Sequence, residues 1–210
     1  MPFIVQPWPP CRIMPRLSPA RAAARRQQII DAALGCFAES GFHKATLQDV
    51  VHASGLSPGS IYSHFASKED IVYAVVEARH RRDLHSLELA SKADSLEEAL
   101  VVLANAFFPS PARREDRAWR RLAVQLWAES HHDATLLKVV RDGLERPLVM
   151  LADLLRRAQR RGQLARALDP EPTARVLIAA FQGMTLQQTW DENIDARSCL
   201  RVMQSLLVTE

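Results

Sequence analysis

Residues 46–65, TLQDVVHASGLSPGSIYSHF, hold two helix-forming pieces joined by Ser-Gly-Leu-Ser, each too short to persist alone. A helix of about eight residues is marginal in water, because nucleation costs more than so few hydrogen bonds return. Both pieces nevertheless carry start signals. Thr46 and Asp49 make a capping-box-like pair, and Ser57-Pro58 gives a cap followed by proline at the first helical position. Gly55 marks the end of the first piece. Such helices must lean on a third, and the chain supplies one just upstream. Ser18-Pro19 opens a segment with Ile29, Ile30, Ala33, Leu34 and Phe37 on one face. It ends at Ser40-Gly41, where glycine is expected to take the left-handed closing conformation. Packing Ile30, Leu34 and Phe37 on Val50, Ile61 and Phe65 produces a helix-turn-helix.

That packing leaves Pro58, Gly59, Ser60, Tyr62, Ser63 and His64 unused by the core. A slim helix with small polar groups suits the major groove, with its N-terminal residues against base edges. Gly59 and Ser63 permit close approach, while Tyr62 and His64 can reach phosphate or thymine methyl groups. Thr46 and Ser67 offer helix N-termini to phosphate, and Lys68 adds charge. Ordinary bundle helices with a surface Tyr62 and a solvated His64 account for the same pattern, so the outline alone leaves both readings open. Charge distribution is suggestive in the same limited way. No acid precedes Asp31, whereas Arg12, Arg16, Arg21, Arg25 and Arg26 do, and the net charge of +3 merely permits a nucleic-acid partner.

Strand signals are nearly absent from the rest of the chain. A fourth helix begins after Ser67, with Glu69 and Asp70 in its first turn, and runs on through IVYAVVEARHRRDLHSLELA. Further helices are predicted at residues 95–108, 114–131, 134–161, 171–190 and 194–208, and Pro147 is expected to kink or split the third of these. The fold class is therefore all-α. A disordered arm is expected over 1–17, a three-helix helix-turn-helix unit over 18–71 and a helical bundle over 72–210. Met14 is a natural start for the helical chain after it, so residues 1–13 are expected to derive from an upstream start codon or to be disordered.

Cys11, Cys36 and Cys199 lie far apart without a CxxC, which argues against a disulfide framework or a structural zinc and suits a reducing cytoplasm. No run reaches the roughly 18 apolar residues of a membrane span, and the opening lacks a signal-peptide pattern. His131-His132-Asp133 reads as a solvated turn before it reads as a metal site. No Walker loop, GxGxxG, HExxH or nucleophile elbow occurs, so neither an enzyme nor a cofactor is expected.

The stretch RQQIIDAALGCFAESGFHKATLQDVVHASGLSPGSIYSHFASKEDIVYAVV resembles the DNA-binding domain of the TetR (tetracycline-repressor-like) family along its whole length. The match rests on AALGCFAESGF, Thr46, Val50, Ala53, Gly55-Leu56-Ser57, Ser60-Ile61-Tyr62, His64-Phe65 and Ser67-Lys68-Glu69-Asp70-Ile71. The resemblance implies phosphate contacts at Thr46, Tyr62 and Lys68, and base-facing positions at Gln48, Pro58, Gly59 and Ser63. Ser57, Ser60 and His64 complete the expected DNA-facing set. Ser63 departs from the pattern, standing where many relatives carry a second aromatic.

The remainder, with LAVQLWAES and LLRRAQRRGQLARALDPEPTARVLIAAFQGM, resembles that family's ligand-binding and dimerisation domain more loosely. Val176, Ala179, Ala180, Gly183 and Met184, with Leu200, Met203 and Leu207, are expected at a two-fold helical interface; a monomeric core would bury them too, and the resemblance favours the interface. Phe107, Phe108, Trp119, Leu122, Trp127, Met150, Leu151, Leu154 and Phe181 are candidates for a ligand pocket, although plain core packing explains each one. The implied function is a homodimeric transcription regulator, a repressor on a palindromic double-stranded operator, released by a small, largely apolar effector. The competing class is a helical ligand-binding or interaction protein that activates transcription or has lost DNA binding.

Overall fold

The computed structural model describes residues 18–108 and 113–207. The N-terminal arm, with Cys11, Arg12 and Arg16, lies outside the described residues. Nine helices succeed one another in the described chain: α1 Pro19–Ser40, α2 Leu47–Ser54, α3 Pro58–Tyr62, α4 Lys68–Ala90, α5 Leu96–Phe107, α6 Arg114–Glu129, α7 Ala134–Arg160, α8 Pro170–Trp190 and α9 Ala196–Leu207. No strand occurs among the described residues.

Local chemistry sets most of these starts. Ser18 accepts from the Arg21 N–H ahead of Pro19. At α2, Thr46 Oγ1 accepts from the Asp49 N–H at 3.2 Å while the Thr46 N–H donates to Asp49 Oδ2 at 2.8 Å, a reciprocal capping box. Ser67 and Asp70 repeat that box at α4. Gly55 closes α2 in the left-handed helical region, at φ 67° and ψ 13°. Gly41 differs from expectation: φ 82° with ψ 151° is the mirror of an extended residue, a conformation essentially reserved for glycine. The chain therefore leaves α1 without a further helical turn.

Two interior clusters hold the helices. The first joins Ile29, Ile30, Ala33 and Phe37 of α1 to Val50, Ile61 and Phe65, then continues into Ile71, Val72, Val75 and Val76 of α4 and Leu122 and Leu126 of α6. The three-helix head therefore shares its core with the larger bundle, and the expected boundary at residues 71 and 72 falls inside one packed cluster. The second cluster gathers Leu87 of α4, Leu96 and Leu103 of α5, Leu151 and Leu155 of α7, and Ala174 of α8. Burying Ile61, 1% exposed, contributes roughly 1.5–3 kcal/mol toward anchoring the five residues of α3.

Helix α3 stops at Tyr62: the His64 N–H returns to the Ile61 carbonyl at 2.9 Å, a tighter turn that brings Phe65 into the core. Pro147 does not split α7, which runs unbroken from Ala134 to Arg160. The missing proline N–H removes one ladder bond, and packing of α7 against α4 and α8 keeps the two halves in one helix.

Candidate functional site

The outer side of the helix-turn-helix is assembled from exposed groups. Pro58, Gly59, Tyr62 and Ser63 are exposed on or beside α3, with Tyr62 at 60%. Thr46 and Gln48 are exposed at the start of the neighbouring helix α2, and Ser57 is exposed at the start of α3 itself. The Ser57 hydroxyl already caps α3 by accepting from the Ser60 N–H at 3.3 Å, and the Ser63 hydroxyl donates to the Ser60 carbonyl at 2.7 Å. The Ser60 hydroxyl is buried without a hydrogen-bond partner among the described residues, although the residue as a whole is half-exposed. His64 is half-buried.

Lys68 is more committed than a free surface cation. Its Nζ donates to the Phe42 carbonyl at 2.9 Å and stands 4.6 Å above the Phe42 ring. One face of the ammonium thus pins the corner between α1 and α2, leaving its other donors for an anion. Arg26 lies 5.0 Å over the Phe65 ring, behind α3. The same corner is held from the bundle side. The Phe42 N–H donates to Gln125 Oε1 at 3.1 Å, and His43 Nε2 lies 2.8 Å from Glu129 Oε2, both partners being on α6.

Between the two cores lies a cavity of about 170 Å³. Of the residues expected to form a pocket, Phe107, Phe108, Trp119, Trp127, Leu151 and Phe181 line it. The Phe181 ring sits 4.7 Å from Phe107 and 5.2 Å from Phe108, centroid to centroid. Leu122, Met150 and Leu154 do not line it. Leu122 turns into the first core against α1 and α4, while Met150 and Leu154 pack in the second. Leu200, Met203 and Leu207 of α9, expected at a two-fold interface, are half-exposed and line the cavity, while α9 turns Val202 and Leu206 outward, at 60% and 76% exposure. On α8, Val176 and Ala179 are exposed, and Ala180, Gly183 and Met184 are half-exposed. Trp190, at 74%, extends that face.

Sequence reasoning missed the cavity's neutral polar groups, Gln182 and Thr185 of α8 and Gln204 of α9, and its ionisable wall, which belongs to α4. His80 and Asp83 line it, and Asp83 Oδ1 is 2.8 Å from Arg79 Nε. The Arg79 guanidinium stacks 5.3 Å over Trp119, and Arg82 pairs with the buried Asp116 at 3.5 Å. Burial pushes the Asp83 carboxyl up to about 6, against the pull of Arg79 and Arg82. Burial, then the charge of Arg79, pushes His80 down, which favours the uncharged ring. The His80 ring lies against Gly143 of α7: a Cβ there would fall 1.8 Å from its Cε1. A signal was available, since Val76, His80, Asp83 and Leu87 follow i, i+4, i+7, i+11 spacing along one face. The His131-His132-Asp133 turn is a cap, Asp133 Oδ1 accepting from the Thr135 and Leu136 N–H groups.

Two family descriptions match this chain: "Bacterial regulatory proteins, tetR family" over residues 29–75 and "BetI-type transcriptional repressor, C-terminal" over residues 96–210. The HTH-type transcriptional regulator UidR of Escherichia coli K12 is 26% identical over 167 residues, covering 78% of this chain and 81% of UidR. A transcriptional regulator from Saccharomonospora viridis, solved in complex with choline, superposes with a TM-score of 0.75 at 21% identity, over 90% of this chain and 100% of that one. The transcriptional regulator FadR from Bacillus subtilis, solved with stearoyl-CoA, gives 0.74 at 20% identity, over 87% and 97%.

Proposed function

The chain belongs to the TetR family of ligand-responsive, DNA-binding transcriptional regulators, and we propose that it acts as a homodimeric repressor whose hold on a palindromic operator is released by a small, largely apolar effector. The observation that carries the reading is the exposed outer face of α3, Pro58, Gly59, Tyr62 and Ser63, flanked by the N-termini of α2 and α4 with Thr46 and Lys68. Exposed N–H groups and hydroxyls there suit phosphate, and a face nearly free of bulk suits a groove floor. Tyr62 and Lys68 take phosphate; Gln48, Pro58, Gly59 and Ser63 face bases.

The cavity is the effector site in this reading. Two helices lining it also reach the reading head. Helix α4 begins directly after α3, and α6 grips the Phe42–His43 corner through Gln125 and Glu129. An effector that fits the cavity better in one arrangement of α4 and α6 than in another shifts the head by that difference; equal affinity for both would shift nothing. Choline and stearoyl-CoA in two structures of this fold are chemically opposed, so the fold leaves the effector open.

Fluorescence anisotropy on the DNA flanking its own gene tests the reading at physiological salt, with unrelated DNA as competitor. A specific complex is expected. Tyr62→Ala should weaken it by about 10-fold or more, a loss near 1.4 kcal/mol, while its melting temperature and mass stay unchanged because Tyr62 is exposed. Absence of specific retention, or full affinity in Tyr62→Ala, would count against it.

A further inference from the structure

The charge on the cavity wall is one-sided. Among the described residues that line it, Asp83 is the only acid and there is no lysine or arginine; His80 is the other titratable group. The Asp83 side chain retains 21% of its accessible surface although its neighbours Val76 and Leu87 are almost sealed. Its partner Arg79 approaches Oδ1 from behind, with its own side chain 8% exposed and its guanidinium covered by Trp119. Arg82 is engaged by Asp116 on α6. A molecule entering the cavity therefore meets a carboxylate, an imidazole, the neutral polar groups of Gln182, Thr185 and Gln204, and aromatic side chains, and no lysine or arginine.

Electrostatics in a poorly hydrated site discriminates strongly between ligand charges. An anion would give up its hydration opposite Asp83 with only neutral groups, such as Gln182, Thr185 and Gln204, and no cation in the lining to replace it. An organic cation would exchange water for the carboxylate and for the ring faces of Trp119, Phe108 and Phe181. Size narrows the class further. A cavity of about 150 Å³ accommodates benzene, so about 170 Å³ holds one ring or a short chain beside a head group.

We propose that this cavity binds a small organic cation, an amine or ammonium group on a one-ring or short-chain apolar body, with Asp83 of α4 as its counter-charge. The proposal rests on the reading of the cavity as the effector site. His80 contributes an uncharged, hydrogen-bonding surface beside Asp83, held in place by the bare backbone of Gly143. Because Asp83 sits on the helix that begins at the reading head, the same contact that recognises the cation bears on α4 directly.

Isothermal calorimetry on the full chain at pH 7.5, without DNA, tests it with three probes of nearly one shape: benzyltrimethylammonium, its uncharged carbon counterpart neopentylbenzene, and phenylacetate. The ammonium should bind at least ~10-fold tighter than the hydrocarbon, equivalent to about 1.4 kcal/mol, and phenylacetate more weakly than either. Asp83→Asn should erase the preference for the ammonium and leave the hydrocarbon within about twofold. That substitution strips Arg79 of its carboxylate, so if the variant melts below assay temperature the three-probe comparison on the unaltered protein decides alone. Equal affinities, a preference for phenylacetate, or no binding by any probe overturns the proposal and returns Asp83 to a structural partner of Arg79. Specific operator binding surviving such a failure removes only the ligand class; cation binding with no operator complex removes only the regulatory reading.

Discussion

Glycine inside a helix costs roughly 1 kcal/mol relative to alanine, and α1 and α7 carry it at Gly35 and Gly143 under opposite constraints. Nothing lies within 4 Å of where a Cβ would stand on Gly35, so Gly35→Ala should stabilise the protein by up to about 1 kcal/mol. At Gly143 the Cβ would overlap the His80 ring at 1.8 Å, and the sign should reverse. Overpacking of this kind costs about 1–3 kcal/mol, and it should push His80 toward the cavity. Urea denaturation of Gly143→Ala, His80→Ala and the double variant measures the contact: a coupling above about 1 kcal/mol is expected for residues that touch. Additive losses would mean that the ring and the glycine do not meet. This contact was invisible in the sequence, because Gly143 and His80 are 63 positions apart.

Helix starts were legible because they are local. Ser18, Thr46, Ser57, Ser67 and Ser95 all cap the helices they precede, each accepting from an N–H three residues on. Ends and faces were less legible, because they depend on partners. Ser63 and His64 continue a helical pattern, yet burial of Phe65 closes α3 at Tyr62. Helix α9 is apolar on two sides, and only the cavity shows that Leu200, Met203 and Leu207 face in while Val202 and Leu206 face out. On α4, His80 and Asp83 stand among the arginines of the run ARHRRDLH, which hid them. The cap of α2 offers a test at this scale. An eight-residue helix depends on its N-terminus, so Thr46→Ala should cost about 1 kcal/mol in global stability, whereas Thr46→Ser should keep most of it. Equal losses from both would mean that the Thr46 methyl, and not its hydroxyl, carries the effect.

For the whole molecule, the consecutive helices α8 and α9 leave large apolar side chains exposed. Val176 and Trp190 on α8 and Val202 and Leu206 on α9 are each at least 60% exposed, with Ala179 and Gly183 keeping the α8 face flat. Isolated exposed leucines need no explanation, but several large apolar side chains on two successive helices mark a surface made for contact. In the proposed homodimer a two-fold partner would cover this patch with its own copy, and would set two reading heads about one DNA turn, roughly 34 Å, apart. Placing a charge at each helix should break that arrangement: Val176→Glu with Leu206→Glu buries two carboxylates per protomer against apolar surface, which no association of this kind survives unpaired. Light scattering after size exclusion should then read one chain of 23.6 kDa where the unaltered protein reads twice that mass. Far-ultraviolet dichroism should not change, because both positions point away from either core. Affinity for a palindromic operator should fall by about 100-fold or more, since two half-site contacts are no longer linked, while the weak affinity for a single half-site should persist. A double variant that remains a dimer would place the seam elsewhere on the bundle and leave this apolar face for another partner.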